Sequence, residues 1–567
     1  MDRENIEHLV LQNLKKKLNK DNVETLVLED YENEFSFEKK KNNLRITFNR
    51  IAFIFFVFLA TSFIFSVKVF YLGSLKSKLD LEKPFNIRNN FRADILDNND
   101  NFLVKTVNTI DVGINPNFII DKKKFIINLQ LIFPNKDFEN IKKKINNNKF
   151  FYLEKKINQE KYNKIRLLGE KSIIFEEKLT RIYPQKNLFS HIIGQIDNAN
   201  NGISGIEKYF NDKLTSKKDP LKLTVDTDIQ FLIRSELIDA QIFFKNIGSA
   251  AILMNVDNGE ILSMVSLPDF NLNKRNQIKN VKYINRATKA VYEFGSVFKT
   301  FTVAAALNHR LVKTDTKFLD LPKSIPCAGF PIREYDKDMP SNLTTEQILI
   351  RSANIGSVRI GQKLGIKKLK SFLESIGVLG KIEFDIEEIA PPGRFIWGKC
   401  KLATASFGHG ISTTALQVLK GYAILTNGGF DIEPTLIKRN SNKIQQRIRI
   451  LKKDTSKEIN SILRKVVSTE NGTAGLADVK GFEVGGKTGT AEKTSIGGYS
   501  KAKVNTFVSI FPASKPKYAL LVLLDEPKTS EEYVYKYRNK KGEYKGTPFN
   551  TVGWTSVEVA GKIIEKI

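Results

Sequence analysis

Hydrophobic positions along the chain follow three different patterns. The first is an unbroken run, IAFIFFVFLATSFIFSV at 51–67. VFYLG after Lys68 extends it to the ~20 residues that cross a hydrocarbon core, so a membrane helix is predicted over 51–72. A cleaved signal peptide is disfavoured, because 50 residues precede the run and no A-x-A site ends it. In the second pattern, from 85 to about 219, short β-like runs such as NFLVKTVNTIDVGI (101–114) alternate with Lys-rich helical stretches. No catalytic constellation appears there, and we read residues 73–219 as a spacer or docking domain. From about 220 the third pattern is more apolar and its turns are sharper. SAAILMNV (249–256), DNG and EILSMVSLP read as a hairpin. GSVFKTFTVAAALNH (295–309) reads as a helix, and QILIRSANIGSVRIGQKLG (347–365) as helix, turn, helix. FEVGGKTGTAEK, TFVSIFPA and YALLVLLDE read as three strands, and SVEVAGKIIEKI as a closing helix.

The segment GFEVGGKTGT (481–490) fits two incompatible chemistries. From Gly481 through Lys487 and Thr488 it matches the phosphate loop G-x-x-x-x-G-K-[ST], and LLVLLDEP at 520–527 mimics a magnesium-holding strand. From Lys487 alone it is K-T-G, an element of serine acyl-transferases. A phosphate loop needs parallel strands, and parallel strands need a crossover of about a dozen residues or more. Only PASKPK (512–517) joins the last two strands, so they form a hairpin and the sheet is antiparallel there. A phosphate loop must also open a helix, yet TGTAEKTSIGGYSK after Lys487 has no helical period. The nucleotide reading is set aside.

Composition narrows the rest. A chain of 567 residues, 41% apolar and 27% charged, forms two or three folded units. The net charge of +28 could draw a polyanion, but residues 1–50 are balanced and the excess lies in stretches such as IKKKINNNK (141–149). We read it as solvated faces, with no nucleic acid as partner. Cys327 and Cys400 exclude a disulfide scaffold; a bridge between them stays open, and two buried free thiols are the favoured reading. His8, His191, His309 and His409 show no ligand spacing, and no metal or organic cofactor is expected. Residues 39–50 carry five Lys or Arg against three in 73–84, which leans toward a cytoplasmic N-terminus and an external catalytic domain.

S-x-x-K occurs at Ser36, Ser296, Ser500 and Ser514, so context must choose. Ser296 alone lies beyond the apolar run and opens a long apolar helix, where Lys299 shares its face. S-x-N occurs as Ser352-Ala353-Asn354 in an inter-helix turn, and K-T-G as Lys487-Thr488-Gly489 on a strand. A helix start, a turn and a strand in that order supply three walls of an acyl-transfer cleft.

With these motifs the chain resembles the class B penicillin-binding proteins, and within them the division-type peptidoglycan D,D-transpeptidases of the penicillin-binding protein 3 family. RADILDNNDNFLV (92–104) resembles the family's opening R-G-x-I-x-D-R-N-G-x-x-L-A, departing at Ala93, Asn98, Asp100 and Val104. RIYPQKNLFSHIIGQIDNANNGISGIEKYF (181–210) resembles its junction element, and SFGHGISTTALQVLKGYAILTNGG (406–429) the helix behind its site. Asn354 and the following IGSVRI look like the division type, whereas the elongation-type relative carries S-x-D.

The resemblance implies an α+β fold, an antiparallel sheet flanked by helices, in a transpeptidase domain at 220–567. It would follow a cytoplasmic tail (1–50), one membrane helix and the spacer or dimerisation domain. It further implies that Ser296 attacks a terminal D-Ala-D-Ala peptide, with Lys299 as base, lowered in pKa by burial and by the charge of Lys487. Ser352 would relay the proton to the leaving amine, and Asn354 would orient the substrate amide. Lys487, Thr488 and Thr490, beside Gly489, would bind the terminal carboxylate, and the backbone N–H groups of Ser296 and Thr490 would form the oxyanion hole. The implied partners are peptidoglycan stem peptides, β-lactams, the inner membrane and a membrane-embedded septal glycan polymerase. An elongation-type enzyme, a β-lactamase, a membrane β-lactam sensor and an inactive division scaffold remain as alternatives.

Overall fold

The structure, a computed structural model, describes residues 11–12, 40–74, 91–274, 281–327, 330–386, 389–393, 395–438, 447–495, 498–538, 541–547 and 549–567. Ser36, one of the four S-x-x-K serines, lies outside them. The chain divides into two compact units, Met1–Asn86 and Ile87–Ile567.

In the first unit, helix α1 (Lys40–Ser74) contains the apolar stretch Ala52–Tyr71, 20 residues long and unburied. At about 1.5 Å per residue that stretch spans a bilayer core. Its large side chains, Phe58 and Phe70 among them, face outward all round, as lipid contact requires.

The second unit begins with a sheet built on a short strand β1 (Ile95–Leu96), a long strand β2 (Phe102–Ile114), β3 (Phe151–Ile157) and β4 (Ile173–Ile182), with both β3 and β4 antiparallel to β2. Helices α2 (Lys122–Ile132), α3 (Phe138–Asn146) and α4 (Gln159–Arg166) cover its far end. Phe125, Leu129, Ile141 and Ile145 close a small core there with Val112 and Ile114, separate from the main one. At the near end, Arg92 and Arg181 both bind the carboxylate of Glu207, and all three side chains are buried. The opening and junction elements thus meet at one buried ion triad, two guanidinium groups on one carboxylate, with backbone carbonyl oxygens of Asn200, Glu207, Arg92 and Ala93 accepting further guanidinium N–H groups.

The turn after β1 shows how the departure at Asp100 is tolerated. Asp97 accepts the backbone N–H groups of Asn99 and Asn101, each at 2.8 Å, and Asp100 sits at φ +67° where the family pattern has glycine. Aspartate enters the left-handed region at low cost. A left-handed residue is thus accommodated here without glycine.

Strand β5 (Leu221–Lys222) pairs parallel with β1 and leads into α5 (Thr227–Phe244). The second sheet then runs β8-β9-β10-β6-β7, antiparallel throughout: β6 is Gly248–Asn255, β7 Ile261–Leu267, β8 Gly485–Ser495, β9 Gly498–Phe511 and β10 Tyr518–Asp525. Residues 512–517 make the β9–β10 hairpin, as the short connection predicts. No helix follows Lys487, because β8 continues to Ser495. Central strands β6 and β10 are buried almost end to end, whereas β8 is an edge strand.

Helices α6 (Phe298–Asn308), α7 (Thr345–Ile350), α8 (Asn354–Ser375), α9 (Lys399–Ala405), α10 (Ala415–Thr426) and α11 (Lys453–Ser468) pack around this sheet, with α12 (Ser556–Lys566) closing the chain. α6 and α10 are buried on nearly every face, as uniformly apolar helices must be. Between α6 and α7 a hairpin of Ser324–Cys327 and Phe330–Arg333 lies against α8 and α9. Cys327 on this hairpin is joined to Cys400 on α9, with Cα atoms 5.4 Å apart, inside the span a disulfide bridges. The expectation of two buried free thiols is corrected: both residues are only half-buried and they are bonded.

Candidate active site

Sequence forces the nucleophile turn into shape. Gly295 (φ +51°) reverses the chain before Ser296, and a Cβ there would lie 2.6 Å from the Thr490 carbonyl oxygen. The expected helix therefore starts as a 3-10 turn, Gly295–Val297, before α6 proper. Gly489 completes the contact from β8, since a Cβ on it would stand 2.2 Å from the Phe294 carbonyl oxygen. Two glycines thus let strand and turn touch backbone to backbone. Behind them Tyr422 of α10 donates from its hydroxyl to Val297 O at 2.9 Å and meets Thr300 Oγ1 at 2.8 Å.

The three motifs converge. Lys299, fully buried in the first turn of α6, donates through Nζ to the Ser352 carbonyl oxygen, to Ser352 Oγ at 3.2 Å and to Asn354 Oδ1 at 2.7 Å. Lys487, also fully buried, reaches Ser352 Oγ at 2.9 Å and the Thr488 carbonyl oxygen at 3.0 Å. Ser352 itself is held at φ +58°, a strained position for serine. Thr488 Oγ1 is hydrogen-bonded to Thr473 Oγ1 at 2.7 Å, and Thr490 Oγ1 accepts from Val552 N–H at 3.4 Å.

Half-buried Ser296 differs from expectation in one respect. Its hydroxyl makes no hydrogen bond among the described residues, and the Lys299 donors are all turned to the S-A-N segment. A serine free to approach substrate is consistent with a resting site whose hydrogen bonds tighten only when substrate arrives.

Electrostatics follow from burial. Desolvation pushes Lys299 down to about 7, and the nearby Glu334 carboxylate opposes that fall. Desolvation, joined by the charge of Lys299, drives Lys487 well below the ordinary lysine range. The lowering of Lys299 agrees with the expectation: burial is its chief cause, and the mutual repulsion of the two buried lysines acts in the same direction on the pair.

The other serines stand elsewhere. Ser500 lies on β9, where its hydroxyl accepts from Ala502 N–H, and Ser514 lies in the β9–β10 turn bonded to Glu483. Sequence reasoning also missed two carboxylates. Glu293, buried three residues before Ser296, accepts from the Tyr499 hydroxyl at 2.9 Å and faces His409 Nδ1 at 3.6 Å. Glu334 caps α8. Neither lies in a motif; Glu293 is near Ser296 along the chain, whereas only the tertiary fold brings Glu334 to the S-A-N turn.

Comparison with known proteins agrees with this geometry. Residues 249–544 match the penicillin binding protein transpeptidase domain, and residues 88–236 the penicillin-binding protein dimerisation domain. The chain belongs to the penicillin-binding transpeptidase family, with the domain pair of class B members of the penicillin-binding protein 3 type. It is a serine-type D-Ala-D-Ala transpeptidase. It is similar to the probable peptidoglycan D,D-transpeptidase FtsI of Caulobacter vibrioides (strain NA1000 / CB15N), 29% identical over 490 residues, covering 84% of this chain and 80% of the relative. It is also similar to stage V sporulation protein D of Bacillus subtilis (strain 168), 30% identical over 444 residues, covering 70% and 68%. The probable peptidoglycan D,D-transpeptidase PenA of Neisseria gonorrhoeae is 27% identical over 435 residues, covering 70% and 71%.

Proposed function

We propose that the chain crosslinks peptidoglycan stem peptides at the division site, with Ser296 as nucleophile. The observation that carries the reading is the convergence of Lys299, Ser352, Asn354 and Lys487 on one hydrogen-bond network behind a free serine hydroxyl. Ser296 Oγ attacks the carbonyl of the penultimate D-Ala and passes its proton to neutral Lys299. The oxyanion is held by the N–H groups of Ser296 and Thr490, which are fixed in place before reaction and so stabilise developing charge without reorganising. Ser352 then hands a proton to the departing D-Ala amine, and the C–N bond breaks to leave an acyl-enzyme. An amine of a second stem peptide attacks that ester, loses its proton and frees Ser296, forming one new amide bond.

Asn354 orients the substrate amide. Because Lys487 Nζ is turned toward Ser352, we assign the terminal carboxylate chiefly to the hydroxyls of Thr488 and Thr490, and to Lys487 the tuning of Ser352. β-Lactams enter by the same acylation. We place the domain boundaries at 50, 72 and 219, with the N-terminus cytoplasmic, the transpeptidase domain periplasmic and a membrane-embedded glycan polymerase as partner.

Labelling with fluorescent penicillin, followed by washout, tests the assignment. Stable label on the wild type and none on folded Ser296→Ala is expected, while Ser500→Ala and Ser514→Ala keep theirs. Labelled Ser296→Ala would reject the nucleophile, and rapid loss of wild-type label would point to a hydrolase.

A further inference from the structure

Helix α8 begins at Asn354 behind Ala353, a cap residue with no side-chain oxygen to accept its first N–H groups. Those donors are met from another segment. The Asn354 and Ile355 N–H groups donate to Glu334 Oε2 and Oε1, at 2.6 and 2.7 Å. A carboxylate at a helix N-terminus also faces the positive end of the helix dipole.

The residues flanking Glu334 grip the same turn. Asn354 Nδ2 donates to the Arg333 carbonyl oxygen at 2.7 Å, and the Tyr335 hydroxyl donates to the Arg351 carbonyl oxygen at 2.9 Å. The Arg333 contact decides which way the Asn354 amide faces, because a carbonyl accepts only from the NH2 side; Oδ1 is thereby left to Lys299 at 2.7 Å. Ser352, between these contacts, is held at φ +58°, a conformation that persists only where its surroundings over-determine it.

The support is itself anchored. Ile332 of the hairpin packs with Ile355 and Val358 of α8 and Ala403 of α9, and Cys327 is bonded to Cys400. Of the charged groups around Lys299, Glu334 comes from the hairpin exit and Lys487 from β8, while the S-A-N turn brings neutral Ser352 and Asn354.

We propose that Glu334 is a positioning residue of the acyl-transfer site: its carboxylate fixes Asn354 and supplies the negative charge that faces Lys299. This rests on Ser296 and Lys299 being nucleophile and base. Glu334→Gln keeps the size, removes the charge and leaves one good acceptor for two N–H groups. In the full chain in detergent, the second-order rate of acylation by penicillin should fall by up to about 10²-fold, the scale of a misplaced catalytic group. The acid limb of its pH profile should move to lower pH, because Lys299 loses the anion that favours its ammonium. Glu334→Asp keeps the charge and should return the limb toward the wild-type position even where the rate stays reduced. Two results would overturn the proposal: a Gln variant with wild-type rate and limb, or losses in Gln and Asp alike that follow the melting temperature with the limb unmoved. Ser296→Ala is run beside them, since its labelling would reject the catalytic assignment instead of Glu334.

Discussion

Lys487 and Lys299, from β8 and α6, aim their nitrogens at one oxygen, Ser352 Oγ, at 2.9 and 3.2 Å. A hydroxyl has two lone pairs and one proton, so accepting from both lysines leaves its O–H directed elsewhere. Ser352 can therefore carry a proton between the base and a leaving group while neither lysine moves.

Ser352→Ala should test this directly. The variant keeps the backbone carbonyl that Lys299 binds but loses the shared oxygen, so acylation should slow by ~10²–10⁴-fold, the range for a removed proton-transfer group. Stopped-flow acylation with a fluorescent penicillin measures it. A change under threefold would remove Ser352 from the proton path.

The acylation rate should rise with pH through about 7 and level off above it, because Lys299 acts as base only when neutral and burial holds it at about 7. The stability sign is consistent. An unfolded lysine titrates near ~10.4, so between about 7 and 10 the unfolded chain binds the extra proton and folding stability should gain with pH. Lys299→Met should lose that part of the gain in thermal melts. A wild-type rate flat from pH 5 to 9 would exclude Lys299 as base.

Gly489→Ala places a methyl 2.2 Å from the Phe294 carbonyl oxygen and 2.7 Å from Val297 Cγ2. Since both neighbours belong to the nucleophile turn, strand and turn must part. We expect destabilisation of ~1–3 kcal/mol, the cost of overpacking, together with slowed acylation. Melting curves and acylation rates on the same sample check it; a variant with wild-type values in both would mean that the approach of β8 to the turn is not required.

Why these features were or were not readable in the sequence follows from their range. The β9–β10 hairpin and the antiparallel sheet were legible because six residues cannot carry a parallel crossover, a local constraint. The walls at Ser296, Ser352 and Lys487 were legible because each motif sits at the end of an element whose period shows in its own residues. Glu334 was not, since it meets Asn354 across 20 positions without any pattern linking the two. Cys327 and Cys400 lay likewise 73 residues apart, and only the packing of the hairpin on α9 brings them together. Asp100 shows the converse: it departs from the family's glycine, yet it sits at φ +67°, a left-handed position that aspartate tolerates, beside an Asp97 carboxylate that accepts the neighbouring backbone N–H groups.

Where the enzyme works in the cell is the widest-reaching prediction, because it depends on one residue type in the second motif. Asn354 donates to the hairpin through its amide NH2 while accepting from Lys299. An aspartate there, as in the elongation-type pattern, could not donate when ionised and would add a second anion beside Glu334. The site is thus built for the neutral amide, which supports the division-type reading. A tagged protein should gather at midcell, and its depletion should yield filaments as septal crosslinking fails while side-wall growth continues. Rounded cells on depletion would assign the chain to elongation and break the inference from Asn354; unchanged shape would favour a sensor. Time-lapse imaging of a depletion strain distinguishes the three outcomes.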